Sequence, residues 1–309
     1  MCSYDTIENV SFYVEATSAL LGVGGALCII VSYLSYKNLR TFYFRILFYI
    51  SITDGLKGAI FFIPANLLKI TEICIISAVT TNYMTMASSI WTLLISVIIY
   101  QATANSSVKV EKYIRNWSIF VFCIMPFFYL LPLSTNSFGL IDINCTFKEN
   151  IDGNLWRLGL FYIPGWIMIF ISFYAYNKVF KSSNLELVDE STKTLLKKVT
   201  LYPLVIIILF TLLSILRILM ITIPESCALE YFSTAVMGIY AAHGFWNAMI
   251  FFTTPSVQIL ICKRKMSFSS GKSSVTYSSQ ASSGSNINLL DCPSLLIKES
   301  ISLKDYHKY

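Results

Sequence analysis

Seven mostly apolar stretches, at approximately 11–36, 46–69, 74–103, 117–133, 156–180, 197–223 and 230–254, reach the length of roughly 20 residues that a helix needs to cross a bilayer. The pattern predicts an all-α membrane protein, a seven-transmembrane helix bundle over residues 11–254. Composition agrees: 55% of the 309 residues are hydrophobic and 13% charged, a balance that calls for lipid rather than water as solvent. The net charge of +6 does not point to nucleic acid, because no basic patch is interleaved with aromatics. Met1 to Val10 lacks the basic start of a cleavable signal peptide, so the first helix is expected to act as its own insertion signal.

The loops set the orientation. With the N-terminus outside, the cytoplasmic side collects Lys37, Arg40, Arg45, Lys109, Lys112, Arg115, Lys178, Lys181, Lys193, Lys197, Lys198, Lys263, Arg264 and Lys265, against Lys69, Lys148 and Arg157 outside. This asymmetry predicts an extracellular N-terminus and a cytoplasmic C-terminus. The chain then divides into a short extracellular segment (1–10), the seven-helix domain (11–254), a basic segment at the membrane surface (255–266) and a serine-rich tail (267–309) too polar and repetitive to fold. Asn9 in Asn9-Val10-Ser11 and Asn144 in Asn144-Cys145-Thr146 are then lumenal glycosylation acceptors.

Prolines 64, 126, 132, 164 and 203 fall inside spans; each removes a backbone donor and permits a kink. Pro203, near the inner end of the sixth helix, is the candidate hinge, with mere helix shape as the plainer reading. Ionisable groups within spans are costly and therefore candidates for function. Asp54 and Asn247 lie at matched depth, roughly 10–13 Å from the cytoplasmic ends of the second and seventh helices. Lys57 shares a face with Asp54. These three read either as a self-neutralised polar core or as a conformational switch. Arg217, about 9 Å below the outer end of the sixth helix, is within reach of an entering ligand; its alternative is an internal pair, with Glu15 as one partner. His243 is either a second ligand contact or a hydrogen-bonded core residue.

Cys74 at the top of the third helix and Cys145 in the second outer loop share the oxidising compartment, and a disulfide between them is expected. Cys2 and Cys227 share it too, with nothing further to pair them. Cys262, beside Lys263, Arg264 and Lys265, is a palmitoylation candidate. Two histidines furnish no metal site, no glycine-rich phosphate loop follows a strand, and the seventh helix has no lysine for a retinal Schiff base. No enzyme, cofactor or metal is expected.

Ser51-Ile52-Thr53-Asp54 in the second helix, Ser88-Ser89-Ile90-Trp91-Thr92 in the third, Leu201-Tyr202-Pro203 opening the sixth and His243-Gly244-Phe245-Trp246-Asn247-Ala248 in the seventh resemble the cyclic-AMP-receptor-like G-protein-coupled receptors of slime moulds, which in turn resemble the secretin and adhesion receptors. The third helix ends Tyr100-Gln101-Ala102-Thr103 without Asp-Arg-Tyr, and the seventh ends Phe251-Phe252-Thr253-Thr254-Pro255 without Asn-Pro-x-x-Tyr. These departures set the chain apart from rhodopsin-like receptors in sequence. The resemblance implies a multi-pass plasma-membrane receptor that transmits an extracellular ligand signal to a heterotrimeric G protein, with Lys193, Lys197 and Lys198 on the surface facing it. A receptor kinase and an arrestin-like adaptor are the expected readers of the tail. The rival readings are a seven-helix transporter and a non-signalling membrane scaffold; the absence of a repeated half weighs against the transporter.

Overall fold

The computed structural model describes residues 4–104, 110–141, 143–181, 198–224, 226–255, 257–258 and 260. Among them α1 is Tyr4–Ser35, α2 Phe42–Ile60, α3 Thr71–Ala104, α4 Val110–Thr135, α5 Ile151–Val179 and α6 Leu201–Thr222. The seventh span is a bent pair, α7 Cys227–Ala241 and α8 His243–Phe252. Lys193, Lys197, Cys2, Cys262 and the serine-rich tail lie outside the described residues. The described residues from Phe252 on belong to a unit of their own, in which the Thr254 carbonyl accepts from the amides of Val257 and Gln258 at 3.0 and 3.1 Å.

The bundle turns a soluble protein inside out. Leu20, Leu27, Val31, Phe170, Phe173, Ile218 and Ile221 stand exposed on its flanks, while Asp54, Lys57, Asn82, His243 and Asn247 are buried. That arrangement suits a hydrocarbon solvent, which can solvate leucine and cannot solvate an ion. α3 is the central post: 72% of its apolar window is buried, against 22–28% in α1, α4, α5 and α6. Its interior face is built from small hydroxyl residues. Thr85, Ser89, Thr92 and Ser96 each donate to the carbonyl four residues back, at 2.7–3.3 Å, so they are buried without orphaned donors.

α2 has spanning length but carries Arg45, Asp54 and Lys57 within 19 residues. It is tolerated because α1 and α3 pack along it and bury the last two. It stops at Ile60, earlier than the apolar run to 69 implied. Pro64 pushes the chain before it toward extended backbone, and a separate helical turn, Ala65–Leu68, follows. Pro126 in α4 and Pro164 in α5 sit just after single π-helical turns, Phe120–Ile124 and Leu158–Tyr162, while Pro132 opens the 3-10 turn Leu131–Thr135 that ends α4. Each wide turn absorbs the hydrogen bond that proline cannot make.

α1 begins at Tyr4, so residues 4–10, set apart from the sequence as an extracellular segment, are its first turns. The seventh span, expected as one helix, breaks at Ala242 and bends by 45°. α1 fits into the bend through glycine. A Cβ on Gly25 would lie 2.7 Å from the Gly244 carbonyl oxygen and 2.9 Å from Phe245 Cα, and one on Gly22 would lie 2.6 Å from the Ala241 oxygen. Only residues without a side chain allow backbones to approach this closely.

One end of the bundle is closed by a hairpin, β1 Phe138–Ile141 paired antiparallel with β2 Asn144–Phe147. The expected disulfide is formed: Cys145 on β2 is bonded to Cys74 in the first turn of α3, with Cα atoms 5.2 Å apart. Phe138 and Phe147 stack beside it at 5.0 Å, against Leu68 and Ala78. Cys227 is also disulfide-bonded.

Candidate functional site

The bend at Ala242 delivers two residues of α8 to the polar face of α2. Asn247 donates its amide to Asp54 Oδ2 at 2.7 Å. His243 Nδ1 lies 2.9 Å from Asp54 Oδ1 and 3.3 Å from Lys57 Nζ. These two contacts compete: a proton on Nδ1 donates to the carboxylate, whereas a bare Nδ1 accepts from the ammonium. Lys57 Nζ is 4.0 Å from Asp54 Oδ1 and sits 4.4 Å above the ring of Tyr240. All four ionisable or amide side chains are buried. With His243 neutral, one anion balances one cation, which is the condition under which such a cluster survives in an apolar interior.

Tyr240 is the last polar residue of α7 before the bend, and its hydroxyl is hydrogen-bonded to that of Thr85 on α3. It also lines a cavity at the disulfide end of the bundle. The cavity has a volume of about 190 Å³. Apolar walls from Phe61, Phe161, Leu216 and Met237 are interrupted by Glu15, Asn82, Asn144, Glu149, Arg157 and Arg217. Arg217 donates to Glu149 Oε1 at 2.5 Å and to Asn154 Oδ1 at 3.0 Å. Arg157 donates to the same Asn154 oxygen at 3.2 Å and to the Phe147 carbonyl. The bond from Arg217 holds the Glu149 carboxyl below the usual carboxylate range, against the weaker opposing effect of its partial burial.

Arg217 therefore lines the cavity as the sequence predicted, but the ion pair considered with Glu15 is corrected to one with Glu149. Position along a helix could not reveal this partner, because the hairpin and its disulfide bring Glu149 in from the loop. Glu15 is engaged by Asn144, whose amide nitrogen lies 3.1 and 3.0 Å from its two oxygens. Asn144, expected as a glycan acceptor, is half-buried here and lines the cavity. Asn9 is exposed on α1. His243, grouped by sequence with Arg217 as a ligand contact, is not among the cavity-lining residues; the bend places it beside Asp54. Asp54, Lys57 and Asn247 come together as their matched depth implied. Lys198 and Val199 are helical, and at Thr200, whose backbone stays in the right-handed helical region, the regular hydrogen bonding is interrupted ahead of α6. Pro203 accounts for the break, since its ring clashes with the carbonyl of Val199 four residues back. It therefore stands in the first turn of α6 rather than inside a continuous helix. Arg157, Glu149, Asn154 and Tyr240 were missed as site residues. An arginine at the very start of an apolar run was the available signal for the first.

No family model matches the chain. In sequence it is similar to cyclic AMP receptor-like protein A of Dictyostelium discoideum, 26% identical over 171 residues, which is 55% of this chain and 44% of that protein. It is also similar to G-protein coupled receptor 1 of Arabidopsis thaliana, 24% identical over 164 residues, 53% of this chain and 49% of that one. The matched region spans about half the length of these curated relatives. In fold it is similar to squid rhodopsin, with a TM-score of 0.68 at 14% identity over 87% of each chain. The chain thus has the seven-helix bundle fold seen in rhodopsin, and its sequence similarity is to G-protein-coupled receptors of the cyclic-AMP-receptor-like type.

Proposed function

We propose that this chain is a plasma-membrane receptor that transmits the presence of an extracellular ligand to a heterotrimeric G protein. The observation that carries the reading is the position of Tyr240: it lines the cavity at the disulfide end, and Lys57 of the buried cluster sits over its ring at the bend of the seventh span. A ligand in the cavity shifts Tyr240 and so the balance of contacts around Asp54, to which α2, α7 and α8 all contribute. Transmission requires that the ligand bind one bundle conformation better than another, and that the G protein do the same. The names of the two sequence relatives support this reading. So do the disulfide, which belongs in an oxidising compartment, and the basic loops at the opposite end.

In this reading the disulfide end and N-terminus are extracellular, and the cytoplasmic end meets the G protein through Lys198, with Lys193 and Lys197 alongside in sequence. The break before Pro203 is the hinge about which the inner end of α6 swings. Cys262 carries a lipid at the membrane surface, and the tail is read by a kinase and an arrestin-like adaptor. The test is nucleotide exchange on a G-protein heterotrimer reconstituted with the full chain in lipid nanodiscs, screened with candidate ligands. Ligand-accelerated exchange is expected. Solute uptake into proteoliposomes by the chain alone, with no acceleration of exchange, overturns the reading in favour of a transporter.

A further inference from the structure

Arg157 is 9% exposed and lines the cavity at the disulfide end. Among the described residues its guanidinium donates only to neutral oxygens, Asn154 Oδ1 at 3.2 Å and the carbonyl of Phe147. Buried charges are ordinarily paired with an opposite charge, because neutral hydrogen bonds do not make up for the lost hydration of an ion. The carboxylate on this wall, Glu149, is taken by Arg217 at 2.5 Å, and its side chain is 57% exposed. Arg217 also donates to the same Asn154 oxygen at 3.0 Å, so two guanidiniums stand together and share one carboxylate. Arg157 commits only two of its N–H groups to these partners, which leaves donors of its planar fork for an occupant of the cavity.

The α3 wall points to an occupant independently. Thr85, Ser89, Thr92 and Ser96 return their hydroxyls to carbonyls of their own helix. Ser77 and Thr81, a turn apart on α3, line the cavity, and among the described residues their hydroxyls have no hydrogen-bond partner. Ser77 is 3% exposed, and a hydroxyl buried this deeply is costly to leave unbonded.

We propose that the cavity binds a small molecule with a single carboxylate on an apolar body, the carboxylate seated on Arg157 beside Arg217 and the α3 hydroxyls adding neutral hydrogen bonds. The proposal rests on the receptor reading, which makes this cavity the ligand site. A carboxylate matches the guanidinium fork in shape as well as charge. One charge is the limit, because a second would lie against Glu149, which Arg217 holds ionised. Glu15 also lines the cavity, with both of its oxygens close to the Asn144 amide nitrogen. Phe61, Phe161, Leu216 and Met237 receive the apolar body.

The probes are short aliphatic and aromatic monocarboxylic acids, with and without a hydroxyl group, each beside its primary amide, applied to the full chain in nanodiscs. Binding is read by thermal shift and by the dissociation constant. An acid should bind about tenfold to a hundredfold more tightly than its amide, the difference that a hydrogen bond between charged groups makes. Arg157→Gln should abolish that preference. Glu149→Gln should strengthen binding of the acid several-fold and leave the amide unchanged, because it removes the competing carboxylate and frees Arg217. If Arg157→Gln fails to fold, Glu149→Gln decides, since Glu149 is largely exposed and a purely structural role for the arginines predicts no gain in affinity. The proposal is overturned if no acid binds, if the amides bind as well as the acids, if Arg157→Gln keeps the preference, or if Glu149→Gln leaves acid binding unchanged or weaker. Acid binding that fails to accelerate nucleotide exchange instead refutes the receptor reading and leaves the ligand class standing.

Discussion

Replacing Asp54 with asparagine tests the buried cluster. The substitution keeps the size of the side chain and its contact with Asn247, and removes the only anion within 4.0 Å of Lys57 among the described residues. Lys57 is 1% exposed, so its ammonium is left buried against Tyr240 and His243. Breaking a buried ion pair in this way costs about 3–5 kcal/mol. Lys57→Met alone leaves the buried Asp54 without its balancing cation; His243 and Asn247 stay hydrogen-bonded to it, but the cost is again about 3–5 kcal/mol. In the double variant Asp54→Asn/Lys57→Met the stranded charge is gone, and about 2 kcal/mol or more of the single Asp54→Asn loss should return. At roughly 2–4 °C per kcal/mol, intrinsic tryptophan fluorescence of the nanodisc-held chain should show Asp54→Asn melting on the order of 10 °C low, with the double variant recovering several degrees. A double variant no more stable than Asp54→Asn refutes the claim that Lys57 is charged and held by Asp54. Should stability return while nucleotide exchange does not, the cluster acts in switching as well as in folding.

Three further outcomes follow from the geometry. In surface-expressed protein, Asn9→Gln should abolish the mobility shift caused by a glycosidase that removes N-linked sugars, and Asn144→Gln should leave it unchanged; a shift lost only with Asn144→Gln contradicts the pairing of Asn144 with Glu15. Gly25→Ala sets a methyl against the Gly244 carbonyl and Phe245 Cα, backbone atoms that cannot rotate away. It should cost about 1–3 kcal/mol, whereas Gly24→Ala, with nothing within 4 Å of the new carbon, should be neutral; equal melting temperatures for the two variants would rule out close packing of α1 at the bend. Truncation after Lys265 should preserve ligand binding and acute exchange but slow internalisation under sustained agonist, and an unchanged rate removes the regulatory role assigned to the tail.

The number and order of the spans were legible because lipid imposes one strong rule, a long apolar run, on each of them. Their interruptions were less so. Proline announced the stop after α2 and the irregular turns of α4 and α5, but not whether each would be a break or a π turn. The bend at Ala242 follows from how Gly22, Gly25 and Gly244 let α1 approach, a contact between segments more than 200 residues apart. Depth along a helix was enough to bring Asp54, Lys57 and Asn247 together, since it depends only on rise per residue. The same reasoning left His243 open between ligand contact and core residue, because a bend rotates whatever follows it, and it could not find Glu149 for Arg217. Loop residues take their positions from the hairpin pairing and the disulfide, and neither is contained in a hydropathy profile.

The two π turns give α4 and α5 separately adjustable halves. Each turn holds one residue more than an α-helical turn, so everything on its disulfide-end side is rotated by about 100° relative to a straight helix. In α5 that slip lies between Arg157, which lines the cavity at the disulfide end, and Tyr176, which is buried nearer the opposite end. Deleting one residue from Leu158–Tyr162 would swing Arg157 toward lipid and leave the lower half in phase with α3. A bundle constructed this way can exchange the set of side chains it shows to a ligand by a single-codon insertion or deletion, while the surface at its other end stays as it was.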